Sequence, residues 1–124
     1  MAKKGKPSAL VRNIAEVPWH EFPGHVGGAL SKPLVRPETA GSRLIDYRIS
    51  TYQPMAYVQL HTHAVQEQVY HVLDGEGLME MDGRRQVVRR HEVIFIPPGV
   101  EHGITNTGLG DLTFIVVTTP IEDA

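Results

Sequence analysis

Three histidines carry the residue types and spacing of a site for one divalent metal. His61 and His63 stand two residues apart in the stretch HTHAVQEQVYHVLDG (61–75). On an extended strand both imidazoles therefore leave the same face. His102 follows about forty residues later in PPGVEHGITN (97–106), just past a Pro97-Pro98-Gly99 turn that fixes how the chain enters the next strand. Neutral imidazoles converging from a rigid frame suit a first-row transition metal. A lone His-x-His pair arises by chance; the third histidine behind a PxGxxHxxxN run makes the three a candidate ligand set.

The elements that must position these side chains are short strands. From Ser42 onward, apolar runs alternate with turn signals at Asp74-Gly75, Asp82-Gly83 and Pro97-Pro98-Gly99. The pattern predicts strands over 44–51, 56–63, 68–73, 77–81, 86–90, 93–96, 102–106 and 112–118. On the first of these Ile45, Tyr47 and Ile49 share one face. Turns every eight to twelve residues indicate an all-β sandwich or barrel, and no stretch has a helical period. Upstream, Pro18, Pro23, Pro33 and Pro37 with Gly24, Gly27 and Gly28 forbid a long helix and leave extended pieces near 11–17 and 29–35. Trp19, Phe22 and Leu34 are expected to cover one end of the core. The expected organisation is a single domain: a flexible basic tail (1–8), an N-terminal extension of short strands and loops (9–42), a barrel (43–119) and a C-terminal tail (120–124).

Composition sets the remaining bounds. At 124 residues and 41% hydrophobic residues the chain can build one core. A formal net charge of -2 gives no global attraction to nucleic acid or anionic membrane. The absence of cysteine excludes disulfides and thiolate ligands. No apolar run reaches the ~18 residues of a membrane span, and the basic start MAKKGKPSAL has no apolar stretch behind it, so it does not read as a secretory signal. A cytoplasmic protein with neither nucleic acid nor membrane as partner is expected.

The two histidine stretches resemble the paired motifs of the cupin family. The second family motif, GxxxxxPxGxxHxxxN, is matched at Pro97, Gly99, His102 and Asn106. The first, GxxxxxHxH followed by three or four residues, Glu, six residues and Gly, is matched at His61, His63 and Gly75. The motifs and their spacer cover residues 55–106, and the strand pattern extends the likeness to Thr118. The resemblance implies a double-stranded β-helix, or jelly-roll barrel, with a metal inside held by His61, His63 and His102. Met55 and His91 stand where the family patterns have glycine, so the turn before the sixth strand is expected to use a different backbone shape.

The fourth ligand is the informative departure. Counting back from Gly75 across six residues reaches Gln68, with Glu67 beside it. Gln68 shares a face with Tyr70 and Val72; Glu67 shares the other with Val69, His71 and Leu73. Glu67 becomes the ligand only if the strand slips by one residue, which the Asp74-Gly75 turn resists. Tyr70, and Tyr57 with Gln59 on the His61 strand, are candidates to line the cavity, and either tyrosine is a candidate catalytic acid, base or hydrogen-bond donor. His71 points away from the metal and His91 belongs to an exposed turn. His20 and His25 read as loop histidines, with a contact over the metal site as the sharper alternative.

Three imidazoles and an amide add no negative charge, so a divalent ion keeps its full electrophilicity and is poorly stabilised in a higher oxidation state. This favours Lewis-acid isomerisation, ring opening or elimination on a sugar or oxo-acid over oxygen activation. Within the family a His-His-Gln-His set resembles the small cupins that linearise unsaturated uronate sugars. The expected cofactor is one divalent transition metal per chain: Mn, Fe, Ni, Zn, Co or Cu. A dioxygenase and a non-catalytic small-ligand-binding cupin are the alternatives. A homodimer is expected, because small jelly rolls leave sheet edges and one apolar outer face to cover, with Val69, His71 and Leu73 as candidates.

Overall fold

The computed structural model describes residues 8–124. The basic segment with Lys3, Lys4 and Lys6, and with it the expected flexible tail, lies outside the described residues apart from Ser8. Among the described residues, ten antiparallel strands form two five-stranded sheets. The first sheet runs β1 (His25–Val26), β4 (Tyr57–Val58), β9 (His102–Asn106), β6 (Glu76–Met81), β7 (Arg84–Arg89). The second runs β2 (Ala29–Val35), β3 (Asp46–Tyr52), β10 (Leu112–Thr119), β5 (Glu67–Asp74), β8 (Val93–Ile96). This is the two-sheet double-stranded β-helix the motifs implied. Tyr52, Val72, Met79, Ile96, Ile104, Leu112 and Phe114 fill the core between the sheets.

The N-terminal extension is part of the barrel, because β1 and β2 each add an edge strand to one sheet. The piece expected near 29–35 is β2, whereas the one near 11–17 is a 3₁₀ turn at Ile14–Glu16 capped by Asn13. A short helix, α1 (Pro37–Ala40), starts at a proline and ends at Gly41 in the left-handed region. Leu34 is buried as expected, while Trp19 stays 41% exposed beneath the Lys32 ammonium. Among the described residues no helix is long and apolar enough to cross a membrane.

The His91 turn corrects the expected backbone, and Met55 shares its shape. Met55 and His91 take φ of 76° and 74°, so the left-handed shape that glycine would supply is kept by residues with a side chain. Hydrogen bonds hold both: Met55 N–H donates to Asn106 O (2.9 Å) and His91 N–H to Val72 O (2.8 Å). A left-handed L-residue costs roughly 1–2 kcal/mol, against about 0.4–1 kcal/mol of extra unfolded-state entropy for glycine. His91→Gly is therefore expected to raise the thermal midpoint by a few degrees in a circular-dichroism melt; a fall would contradict the strain assignment. At Gly75 no such substitution is open, because φ is +83° and a Cβ there would run into the Asp111 carbonyl oxygen.

Asn106 of the second motif is a structural residue. Its side-chain N–H groups donate to Tyr52 O (2.7 Å) and Gly110 O (2.8 Å), and its Oδ1 accepts from Gly108 N–H (2.8 Å). It closes the turn into β10 from a fully buried position.

Candidate metal centre

The predicted strand over 56–63 ends its ladder at Val58, and His61 continues only as an isolated bridge to His102. His61 and His63 still converge with His102: one ligand atom from each lies within 4.8 Å of the others. Backbone bonds fix the approach, with His61 N–H donating to His102 O (3.0 Å), His102 N–H to His61 O (2.9 Å) and Gly99 N–H to His63 O (2.8 Å). The Pro-Pro-Gly turn thus clamps the loop that carries His63.

Each of the three rings turns its Nδ1 toward an oxygen acceptor. His61 Nδ1 meets Gln59 O at 2.7 Å, His102 Nδ1 meets Val100 O at 2.9 Å, and His63 Nδ1 lies 3.6 Å from the Asp123 carboxylate. A ring that donates through Nδ1, as His61 and His102 do, presents a bare lone pair at Nε2. His63 Nε2 is buried without a hydrogen-bond partner among the described residues. Burial holds the His102 imidazole down to about 4, opposed by its bond to Val100 and aided by His61 and His63. Burial also lowers His61. Both rings are thus neutral at neutral pH, the form that coordinates.

Gln68 lies on the inner face of β5 with Tyr70 and Val72, and Glu67 is exposed, so the strand keeps the parity expected of it. The Gln68 amide N–H donates to Thr118 Oγ1 (3.0 Å), which turns Oε1 toward His102 Nε2 at 2.9 Å. Since His102 Nδ1 is already the donor, two acceptors face each other at that distance. A shared cation relieves such an arrangement. Buried lone pairs on three imidazoles and an amide oxygen fit a divalent metal.

Asp123 was not anticipated from the sequence. Its carboxylate accepts the backbone N–H groups of Ala64 (2.9 Å), Val65 (2.8 Å) and Gln66 (3.0 Å) while facing His63. The Val65 and Ala64 N–H groups, then Gln66 and the His63 ring, pull its carboxyl down to about 2, against desolvation. Carboxylates behind metal-binding histidines set ring orientation and basicity, typically for ~10–100-fold in affinity. Asp123→Ala is expected to weaken metal binding by about that factor in a competition titration; unchanged affinity would show that the contact is incidental.

His61 and His63, with Gln68, open into a cavity of about 470 Å³. Tyr70 lines it, its ring 6.3 Å from His102, and so does Tyr52. Burial pushes both phenols up, beyond any useful basicity. Each is therefore a hydrogen-bond donor rather than a base. Tyr57 is corrected: it is 37% exposed on the outside of the barrel, over a groove with Leu78, Glu80 and Thr105. It sits one residue before buried Val58, so pleat parity sends it outward, and the backbone between Val58 and His61 leaves the ladder. Gln59 does reach the cavity wall. His25 lines the cavity beside Pro23 and Gly24, whereas His20 only bridges to Ser31 through its backbone. His71 and His91 are exposed.

A family model, Cupin_2 (cupin domain), matches residues 48–118, more than half of the chain. The chain belongs to the cupin family. This cupin is 36% identical over 64 residues to the oxalate-binding protein of Thermotoga maritima, a match that covers 52% of this chain and 53% of that one. The chain spans about half the length of the curated relatives it matches. Among solved structures, a predicted oxalate decarboxylase from Thermotoga maritima superposes with a TM-score of 0.80 at 25% identity, covering 90% of this cupin and 99% of that chain. The polyketide cyclase RemF from Streptomyces resistomycificus superposes with a TM-score of 0.81 at 24% identity, covering 93% and 81%, which carries the fold alone.

Proposed function

We propose that this cupin binds one divalent transition metal through His61, His63, His102 and Gln68 and acts on a small oxo-acid or sugar by non-oxidative chemistry. The observation that carries the reading is the gathering of three imidazoles within 4.8 Å of one another, with His61 and His102 bonded through Nδ1 to carbonyl oxygens, His63 Nε2 buried without a partner among the described residues, and the Gln68 oxygen 2.9 Å from His102 Nε2. When bound, such an ion polarises a carbonyl or hydroxyl oxygen and acidifies a bound water. The protein's own groups do the rest. Tyr70 and Tyr52, kept protonated by burial, offer O–H donors to a substrate oxygen. Thr118 holds the Gln68 amide in its orientation. Pro23, Gly24 and His25 form one side of the cavity wall.

The likeness to an oxalate-binding protein favours a second reading, a non-catalytic module that holds a small carboxylate. Oxygen uptake and substrate turnover discriminate the readings. The metal-loaded protein should consume no oxygen with thiols, diketones or catechols, and should isomerise or cleave members of an oxo-acid and uronate panel. Oxygen uptake would make it a dioxygenase; tight carboxylate binding without turnover would make it a binding module.

A cytoplasmic homodimer is proposed with this reading. The outer face of the second sheet carries Leu73, Val93 and Phe95, exposed by 38, 61 and 55%, beside half-buried Val69 and exposed His71. A contiguous apolar face of this kind marks an interface. Sedimentation at micromolar concentration should give about twice 13.7 kDa; the monomer mass would contradict the dimer.

A further inference from the structure

We propose that Arg48, held by Asp46 and joined by Arg36, forms a carboxylate-binding pole across the cavity from the three histidines. The substrate is then a small acid whose carboxylate is remote from its metal-bound oxygen. This deepens the functional reading above and rests on it for the near end of the substrate.

The inner face of β3 presents Asp46, Arg48, Ser50 and Tyr52, and all four line the cavity. Its residues Tyr47 and Ile49 alternate with these on the opposite face, the reverse of an ordinary core strand. A buried ion pair does little for stability by itself, so its place inside a barrel calls for another reason. Arg48 donates from Nε to Asp46 Oδ1 (2.9 Å) and from Nη2 to Asp46 Oδ2 (2.6 Å). That leaves Nη1 without a partner among the described residues. Arg36 Nε lies 4.0 Å from the same carboxylate and 2.8 Å from Glu38, whose side chain is 64% exposed. Arg36 is thus paired first with Glu38 and Arg48 with Asp46, and the group left for a ligand carboxylate is the Arg48 Nη1. The Phe22 ring lies 4.8 Å from Arg48 Cζ and 5.9 Å from Arg36 Cζ, within cation–π reach of both.

Strand register sets the span. Asp46 pairs with Thr118, and Thr118 with Gln68; Arg48 pairs with Val116, and Val116 with Tyr70. The charged pole thus sits two strand spacings, about 10 Å of backbone, from the row that carries Gln68 and Tyr70. Side chains from both rows reach into the gap, which leaves room for a short dicarboxylate. Guanidinium is the side chain suited to the planar carboxylate end, and partial burial strengthens the contact.

The test uses 2-oxoglutarate and 2-oxopentanoate, which share the metal-facing 2-oxo acid and differ only in the distal carboxylate. On metal-loaded protein, calorimetry should give about 10- to 100-fold tighter binding of 2-oxoglutarate. Arg48→Gln should bring the ratio to about one with metal content unchanged. On chelator-treated protein, glutarate should raise the thermal midpoint of the wild type but not of Arg48→Gln. If the single variant unfolds, the pair Asp46→Asn with Arg48→Gln removes both charges together and serves in its place. Equal binding of the two oxo-acids, binding of neither to metal-loaded protein, or a ratio that survives the variants would overturn the proposal. Failure to take up metal would sink the metal reading instead, and the glutarate arm alone would then decide the arginine pole.

Discussion

His102→Ala is expected to lose most of its bound metal and keep its fold. A four-ligand site of the zinc type is worth ~10–16 kcal/mol. An equal quarter share is roughly 3 kcal/mol, about two orders of magnitude in affinity. His102 is fully buried against His61, His63 and Gln68, which do line the cavity, so truncation opens a space with polar partners for water rather than a dry apolar void. The backbone bridge between His102 and His61 does not depend on the ring. Far-UV circular dichroism should therefore match the wild type while plasma mass spectrometry finds a small fraction of the metal. His71→Ala and His91→Ala, which alter exposed imidazoles, should retain all of it. Full occupancy in His102→Ala would remove this ring from the ligand set.

Gln68→Glu is expected to act in opposite directions with and without metal. With metal, a carboxylate replaces the amide at ~2 Å from the ion, so affinity should rise and a polarisation-driven turnover should slow. Without metal, a buried carboxylate beside neutral His102 has lost the amide donor that served Thr118. The metal-free protein should be destabilised by about 1–3 kcal/mol. Glu67→Gln alters an exposed side chain and should stay within about 0.5 kcal/mol in stability, with metal affinity unchanged. Differential scanning fluorimetry of both variants with and without metal reads all four quantities. If Glu67→Gln lost the metal while Gln68→Glu changed nothing, the register of β5 would be wrong. If both were silent, the amide would face His102 as a donor and belong to the hydrogen-bond network alone.

The barrel was legible in the chain because turn chemistry is local. Asp74-Gly75, Asp82-Gly83 and Pro97-Pro98-Gly99 each require a particular backbone, so β8 and β9 have the expected bounds and β5, β6 and β10 differ by a residue or two. The side on which Gln68 lies was legible for the same reason, since pleat parity needs only one anchored turn. The cavity wall was not. Tyr47 and Ile49 do share a face, but it is the outer one, and the alternate residues Asp46, Arg48 and Ser50 look inward. Alternation does not say which face is the inside when the barrel is hollow and its outside is apolar. Asp123 was hidden because it acts across nearly sixty residues of sequence, through backbone N–H groups that carry no side-chain signal. Tyr57 departs from the expectation because the ladder stops at Val58, so residues 57–61 do not share the parity of one strand. The outward turn of Tyr57 does, in retrospect, match its neighbour Val58, the buried member of the pair.

The most direct test of the metal site is the metal content of the wild-type chain, purified without a metal-affinity tag and analysed by plasma mass spectrometry. The geometry of the three histidines and Gln68 predicts close to one divalent transition metal ion per chain, either as isolated or after titration of chelator-treated protein with Mn, Fe, Co, Ni, Cu or Zn. A chain that carries none and takes up none of these ions at stoichiometric concentration would contradict the assignment.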